Sequence, residues 1–488
     1  MKNPPTLDNN CRQVLNQAAS ITTVHRSNNG IRRRILWATA AGALLAASGL
    51  VRAANPETTP DGVLLENARN TLERPYRQAG PSDPRERGPH VAHGFGKRDR
   101  RLLYIALPGG TSGGQVSPQA TGTGIVVLDL DPAGESNAAP KEPGAAPRPS
   151  LQFIKRIPTW DVAASTSPEE VAGIAASPAT NMVYLSTRGH LAAFDLATDK
   201  KVWEQTYDGH AAERAEVTPD GKTLIVGSDL QDFWYIVDAA TGALKGKIHA
   251  PMSNKAHNMG LSADGKTVFM APNGVTMTVG DVPSMKAIKT ITFSDHVRVF
   301  VINHDATRVY ANLNNLLGFE IADVAQGKVI KRIEAPAEMW KPQWHDLSKK
   351  FYGHSGPVHG IALTPDESEL WVVDNINYGV LVYNNTGEWP VLESSFKTTA
   401  SACWITMGIG GQYAFLSSGD VVDVKTHTIV GQMKDEYGRQ MRSEKYLEMT
   451  FSNGKLQRTV SQFAEGIPSA VQARLAAAKS GATKPASK

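Results

Sequence analysis

The sequence predicts an all-β protein in which a small antiparallel sheet recurs along the chain. The first observation is a turn phrase that is followed each time by an apolar run, in Thr218–Lys222, Ser262–Lys266 and Thr364–Ser368. The second is its spacing, since equivalent positions recur every 41 to 44 residues with one interval of 61. A period of this length, with several short strands in each unit, is typical of a β-propeller.

The residues of one unit explain the period. Pro219-Asp220-Gly221 forms a turn because Pro presets φ while Asp and Gly accept turn geometry. Strands are then expected over 224–227, 234–238 and 243–248, after an innermost strand that ends at Val217. One such antiparallel sheet of four strands leaves both faces exposed, so neighbouring sheets must cover them and the ring must close.

Units begin near residues 171, 212, 256, 297, 358 and 402. A further unit over 102–157 lacks an innermost strand, and a strand-turn-strand pattern over 446–462 remains after the last full unit. We therefore expect a seven-bladed β-propeller of four-stranded antiparallel blades, with the ring closed by the C-terminal strand. Eight blades is the alternative.

The first 53 residues have the pattern of a signal peptide. Arg32-Arg33-Arg34 precede an Ala-rich apolar stretch, and small or aliphatic residues precede a cleavage point after Ala53. The arginines resemble a twin-arginine export signal. The expected location is periplasmic or secreted, with no stable membrane anchor after cleavage. Residues 54–97 are interpreted as an extended leader, 98–462 as the propeller and 463–488 as a flexible tail.

Removal of the signal peptide changes the charge of the chain. The segment contains seven Lys or Arg and one Asp, so the formal net charge falls from +4 to −2. The basicity of the whole chain therefore indicates no nucleic-acid partner. Cys11 is removed as well, which leaves Cys403 as the single cysteine and excludes an internal disulfide.

Several strands carry a resemblance to a known family. Met182–Leu185, Arg308–Ala311 and Ile236–Gly242 resemble the YVTN-type bacterial β-propeller repeat family, over about three-quarters of the chain. That resemblance implies the propeller fold but no single activity, because the family includes surface proteins and relatives that bind redox cofactors. The d-type haem propeller of nitrite reductases is distantly similar. No Cys-x-x-Cys-His occurs, which excludes covalently attached c-type haem.

Propeller geometry restricts where a binding site would lie, because the innermost strands all start at the face where the channel opens. The position seven residues before each turn anchor is Ala172, Glu213, His257, Arg298, His359 or Cys403. Five of these six are ionisable or nucleophilic, which predicts a funnel-face site. Neighbouring residues extend the candidate ligand-binding set to Arg214, His296, His354, Asn375 and Trp404.

Three chemical interpretations of this face remain open. His257, His296, His354 and His359 would bind copper or another transition metal if the ring brings them together. Arg214 and Arg298 would pair with the carboxylates of an anionic planar cofactor, such as haem, or of a substrate. Alternatively, the polar residues line a solvated channel, and the face recognises a protein or a glycan.

The preferred function is an exported binding module for an unknown small molecule or periplasmic protein, accessory to a redox system. The alternative is a metal- or haem-dependent periplasmic oxidoreductase with histidine ligands in the channel. The metalloprotease motif His-Glu-x-x-His is absent, and catalytic residues stay unassigned. Cys403 is expected to be a small buried hydrophobe, and Glu213 an ion-pair partner.

Overall fold

The computed structural model describes residues 99–107, 123–131, 148–159, 171–187, 189–208, 211–228, 231–250, 256–272, 274–339, 356–375 and 377–461, without the side chains of 211–213 and 272. The expected signal peptide, leader and tail therefore lie outside the described residues, as does His354. Nearly all regular structure in the described ranges is β-strand, with 3-10 turns at Ala337–Met339 and Ile409–Gly411.

The strands are mostly five to eight residues long and follow one another through tight turns. In chain order they are β1 Arg100–Leu107, β2 Gly124–Asp129, β3 Gln152–Ile157, β4 Val171–Ser177, β5 Met182–Thr187, β6 Leu191–Asp195, β7 Lys201–Gln205, β8 Ala211–Val217, β9 Thr223–Ser228, β10 Phe233–Asp238, β11 Leu244–His249, β12 Ala256–Leu261, β13 Thr267–Pro272, β14 Thr276–Asp281, β15 Lys286–Thr292, β16 Val297–Ile302, β17 Arg308–Leu313, β18 Gly318–Asp323, β19 Lys328–Glu334, β20 Val358–Leu363, β21 Glu369–Asp374, β22 Gly379–Asn384, β23 Val391–Lys397, β24 Ile405–Met407, β25 Tyr413–Leu416, β26 Asp420–Asp423, β27 Thr428–Gln432, β28 Tyr446–Ser452 and β29 Lys455–Thr459.

Consecutive strands pair antiparallel in groups of four. The groups β4–β7, β8–β11, β20–β23 and β24–β27 are separate sheets. The groups β12–β15 and β16–β19 join into one eight-stranded sheet through a single parallel pair, Thr292 and Lys328. The expected all-β architecture of four-stranded antiparallel sheets is confirmed.

The repeated phrase forms the turn between the first two strands of a group. Thr218 Oγ1 donates to Asp220 Oδ1 at 2.6 Å, and the amide of Lys222 donates to the same oxygen at 3.1 Å. Gly221 then takes a left-handed conformation, with φ of +70°, and its amide donates to the carbonyl of Thr218. The phrase at Thr364 makes the corresponding bonds to Asp366. The recurrence of the phrase therefore reflects a local hydrogen-bonding requirement.

Successive groups bury their faces against one another, as the sequence predicts for a ring. Tyr184 and Tyr235 lie in one core between β4–β6 and β8–β10, and Trp371 and Leu416 lie in another between β20–β22 and β24–β26. The first strands of neighbouring groups contact each other in chain order from β4 through β24. This arrangement is β-propeller-like, with the first strands lying innermost.

The two ends of the described chain meet in one sheet of order β29-β28-β1-β2-β3. Strand β28 pairs antiparallel with β1 over six residue pairs, from Arg100–Phe451 to Ile105–Tyr446. The Arg101 guanidinium also pairs with the Glu448 carboxylate. Strand β28 thus supplies the additional partner of β1 that residues 102–157 lack, and β29 adds a fifth strand at the edge of this sheet. No helix in the described ranges is both long and apolar enough to cross a membrane.

Candidate functional site

Five innermost strands carry a β-bulge or irregularity at the same level. The register shifts lie between Val171 and Gly173 in β4, Ala211 and Ala215 in β8, Ala256 and Asn258 in β12, Val297 and Phe300 in β16, and Val358 and Ile361 in β20. Each interval contains one position of the sequence-derived register: Ala172, Glu213, His257, Arg298 or His359. Bulges redirect side chains and are frequent beside binding sites, so this register marks a real structural level.

At the bulges, backbone carbonyl groups lack a partner on the paired strand. Side chains of neighbouring groups donate hydrogen bonds to these carbonyl oxygens instead. Arg214 Nη1 donates to the carbonyl of Ala172 at 3.2 Å, and Asn258 Nδ2 donates to the carbonyl of Arg298. Asn312 Nδ2, on β17, donates to the carbonyl of His359 at 2.7 Å. These bonds connect adjacent groups and satisfy buried backbone oxygens.

Arg214 is the central side chain of this level. Its Nε donates to Asn258 Oδ1 at 3.2 Å, and its Nη2 lies 3.3 Å from Glu444 Oε2. The guanidinium lies 4.3 Å from the centre of the Trp404 ring, and Lys445 Nζ lies 5.4 Å from that centre. Lys445 also pairs with Glu444 at 3.0 Å. One indole and one carboxylate therefore hold two buried cations.

Cys403 lies against the same carboxylate. Its Sγ donates to Glu444 Oε1 at 2.8 Å, and the thiol is buried. Burial, followed by the charge of Glu444, raises the pKa of the Cys403 thiol well above its ordinary value. Cys403 is therefore a neutral thiol, in agreement with its interpretation as a buried small residue.

Cys403 and Trp404 precede β24 instead of starting it, although the sequence register assigned Cys403 to a strand start. The reason is Ser417, whose Oγ accepts from the amides of Cys403 and Trp404 at 2.7 and 3.0 Å. A side chain thus takes the place of the strand partner, and β24 begins at Ile405.

His359 is fully buried, and its Nδ1 lies 2.7 Å from the carbonyl oxygen of Cys403. Because a carbonyl only accepts, Nδ1 carries the proton and the lone pair of the neutral ring is on Nε2. The ring lies 6.1 Å from that of Trp404. His359 therefore connects β20 to the segment before β24.

We use the name collar for the buried side chains at this level, each at most 3% exposed. They are Arg214, Asn258, Arg298, His359, Cys403, Trp404, Glu444 and Lys445. Three of them are cations (Arg214, Arg298 and Lys445), whereas Glu444 is the collar's one carboxylate. Among these eight side chains, buried cations therefore outnumber carboxylates.

Four further residues were singled out by the sequence. His257 is half-buried at the bulge of β12. His296 pairs with Asp295 at 3.1 Å, and its side chain is 39% exposed. Asn375 Nδ2 donates to the carbonyl of Gly356 at 3.0 Å and supports the entry to β20. For Glu213 the structure describes the backbone alone.

The described side chains do not form a metal site of histidines. Within the described ranges, no three His, Cys, Asp or Glu residues form a group able to hold a metal ion. His296 is engaged by Asp295 and His359 by a carbonyl, whereas His354 lies outside these ranges. The metal or haem ligand set of His257, His296, His354 and His359 stays a prediction, which metal analysis of the purified chain would test.

Sequence reasoning did not assign Glu444 and Lys445 to the site. They lie in the segment between β27 and β28, which has no counterpart in the repeat, so the strand-start register does not reach them. The available signal was an adjacent acid and base next to the start of a C-terminal strand. That pattern alone does not indicate burial, and both residues would ordinarily be interpreted as exposed.

A second feature lies at the other end of the innermost strands. A cavity of about 360 Å³ is lined by residues of β4, β8, β12, β16 and β20 near their last residues, and by Arg458–Ser461 at the end of the described chain. Glu216 is 5% exposed there, and Ser461 Oγ donates to its Oε1 at 2.9 Å. Burial raises the pKa of Glu216 to about 8. The sequence signal for this cavity was Glu216, an acid at the otherwise apolar end of β8.

Comparison with known proteins leaves the function open. No protein-family model matches the chain, and no curated protein matches it. Among solved structures, hydrazine synthase of Kuenenia stuttgartiensis aligns over 52% of this chain and 77% of its own, with 18% sequence identity and a TM-score of 0.43. A likeness at this level carries no argument about activity, so the functional conclusion depends on the geometry of the chain itself.

Proposed function

We propose that this chain is an exported, periplasmic seven-bladed β-propeller of the YVTN type whose funnel face binds an anionic ligand at the collar. The blade count is supported by six groups of four consecutive strands and by β28 with β1–β3, all in the described ranges. The location is supported by the export pattern of residues 1–53.

The observation that carries the ligand class is the buried positive charge of the collar. Arg214 and Lys445 share Glu444, and Arg298 adds a third buried cation at the bulge of β16. Burying a cation away from water is costly unless a negative group compensates it. A carboxylate, phosphate or sulfate group at the collar would pair with these cations through charge-assisted hydrogen bonds.

Trp404 narrows the ligand class further. The Arg214 and Lys445 cations both lie over its indole ring, and the His359 ring is beside it. Flat guanidinium and indole groups favour planar, bidentate anions over small spherical ones. A planar aromatic carboxylate would pair with the guanidinium and also place its ring against the indole, a second contact that inorganic phosphate lacks.

Isothermal titration calorimetry of the purified chain tests the proposal with terephthalate, inorganic phosphate and the uncharged analogue terephthalamide. We expect terephthalate to bind, terephthalamide not to bind, and the affinity for terephthalate to fall as NaCl increases. Arg298→Gln should weaken terephthalate binding by about tenfold or more, the range for a lost charge-assisted hydrogen bond.

Arg332→Gln is the matched control, because the Arg332 side chain is 42% exposed on the outer strand β19. It should leave the affinity for terephthalate unchanged. Equal binding of terephthalate and terephthalamide, equal losses in both variants, or an affinity independent of salt would each overturn the proposal. The salt series uses the unmodified chain, so the test stands even if Arg298→Gln impairs folding.

A further inference from the structure

The cavity at the far ends of the innermost strands is separate from the collar. Five of these strands reach it, and β29 supplies part of its wall through Arg458–Thr459. Its volume of about 360 Å³ lies within the range of 300–1,000 Å³ that is usual for sites of small molecules. The collar occupies the opposite ends of the same strands.

The walls of this cavity are mainly apolar. Val217, Leu261, Phe300, Leu363 and Val460 all line it, and three of them are less than 10% exposed. Such walls favour an apolar body and oppose a formal charge, because a charge placed there would lose its hydration.

Glu216 is the buried acid among the described residues that line the cavity. One carboxyl oxygen accepts the Ser461 hydroxyl at 2.9 Å. Since burial holds the pKa of this carboxyl at about 8, it keeps its proton at neutral pH, and its second oxygen is a hydrogen-bond donor. His304 also lines the cavity but is held by Glu367 at 2.6 Å, and Arg458 is exposed at the rim.

We propose that this cavity is a second ligand site for a small uncharged molecule, whose apolar body packs against the strand ends and whose carbonyl oxygen accepts a hydrogen bond from Glu216. An aromatic ketone has this chemistry. The site lies at the face of the repeated turns, where the apolar strand ends meet one buried acid.

Ligand-observed NMR titration at pH 6.5 tests the site with acetophenone and with ethylbenzene, which has a similar shape but no oxygen. Acetophenone should bind about fivefold more tightly than ethylbenzene, the value of one net hydrogen bond. In Glu216→Leu this preference should disappear while ethylbenzene still binds, because the variant keeps an apolar wall. Glu216→Gln retains a donor and should restore the preference.

Ala263→Trp provides an independent control, because Ala263 is an exposed turn residue that lines the cavity. A bulky ring at this rim should lower the binding of both compounds without changing thermal unfolding. Failure of both compounds to bind the unmodified chain would overturn the proposal. So would an unchanged preference for acetophenone in Glu216→Leu, or unchanged binding in Ala263→Trp.

Discussion

Replacement of Glu444 by Gln is the sharpest test of how the collar is held together. Glu444 is 2% exposed and accepts from Cys403 Sγ at 2.8 Å, Lys445 Nζ at 3.0 Å and Arg214 Nη2 at 3.3 Å. Gln has almost the same shape but no charge, so Arg214 and Lys445 would stay buried without their carboxylate. Removal of one partner from a buried ion pair costs about 3–5 kcal/mol, and we expect a loss of that size in the free energy of unfolding.

Urea is the denaturant of choice for this measurement, because guanidinium chloride would screen the ion pairs under study. Unfolding of the wild type and of Glu444→Gln is followed by tryptophan fluorescence and circular dichroism, and midpoints are compared only where the slopes agree. Glu334→Gln is the matched control. It removes an exposed partner of Arg332, with side chains 42% and 55% exposed, and should cost less than about 1 kcal/mol.

The reasoning would be refuted if Glu444→Gln lay within about 0.5 kcal/mol of the Glu334→Gln control, since the buried carboxylate would then contribute no more than an exposed one. Binding gives a second and independent readout. Loss of the carboxylate increases the positive charge around Trp404, so Glu444→Gln should bind terephthalate more tightly than the wild type at equal salt. Weaker binding by a folded variant would contradict the assignment of the collar as an anion site.

Three further predictions concern buried acids and the thiol. The pKa of Glu216 is raised from 4.5 to about 8 in the folded chain, so the unfolded chain loses its proton first. The free energy of unfolding therefore falls as the pH rises from about 4.5 to 8. Glu216→Gln should remove this pH dependence in urea titrations and be more stable than the wild type by on the order of 3 kcal/mol at pH 8. In a Cys11→Ser chain, Cys403 should not react with Ellman's reagent at pH 8 until urea unfolds the chain. Rapid labelling of that folded variant would contradict the burial of Cys403. Glu448→Gln should cost about 3–5 kcal/mol by breaking its pair with Arg101 across β28 and β1, and thermal unfolding close to that of the wild type would exclude a role in closure.

The fold could be predicted from the sequence because its signals are local. The phrase at Thr218 makes its turn through bonds to Asp220, two residues away, and the same short-range chemistry recurs at Asp264 and Asp366. The apolar runs after each turn are long enough to identify strands. The position of β28 beside β1 was also predictable, because the first group lacked an inner strand and the C-terminus had one left over.

The level of the candidate site was predictable for a different reason. The bulges lie at a similar distance from the turn that ends each strand, so counting back from the turns reaches bulge positions such as His257, Arg298 and His359. Their role in ligand binding stays a prediction. The partners could not be predicted in this way. Arg214 and Glu444 are 230 residues apart in the chain, and no repeat relates them. Their contact depends on how the chain end returns to the inner strands.

The collar contains more charge than its structural bonds require. Asn258 and Asn312 satisfy the bulge carbonyls of Arg298 and His359 with neutral amides, so the same task in β4 does not require the guanidinium of Arg214. A cation at such a place loses hydration, and a neutral amide does so at much lower cost. A purely structural collar would therefore be expected to use amides throughout. The buried cations Arg214 and Lys445 beside Trp404 are the observation on which the proposed anion site rests, and the terephthalate titration tests that site directly.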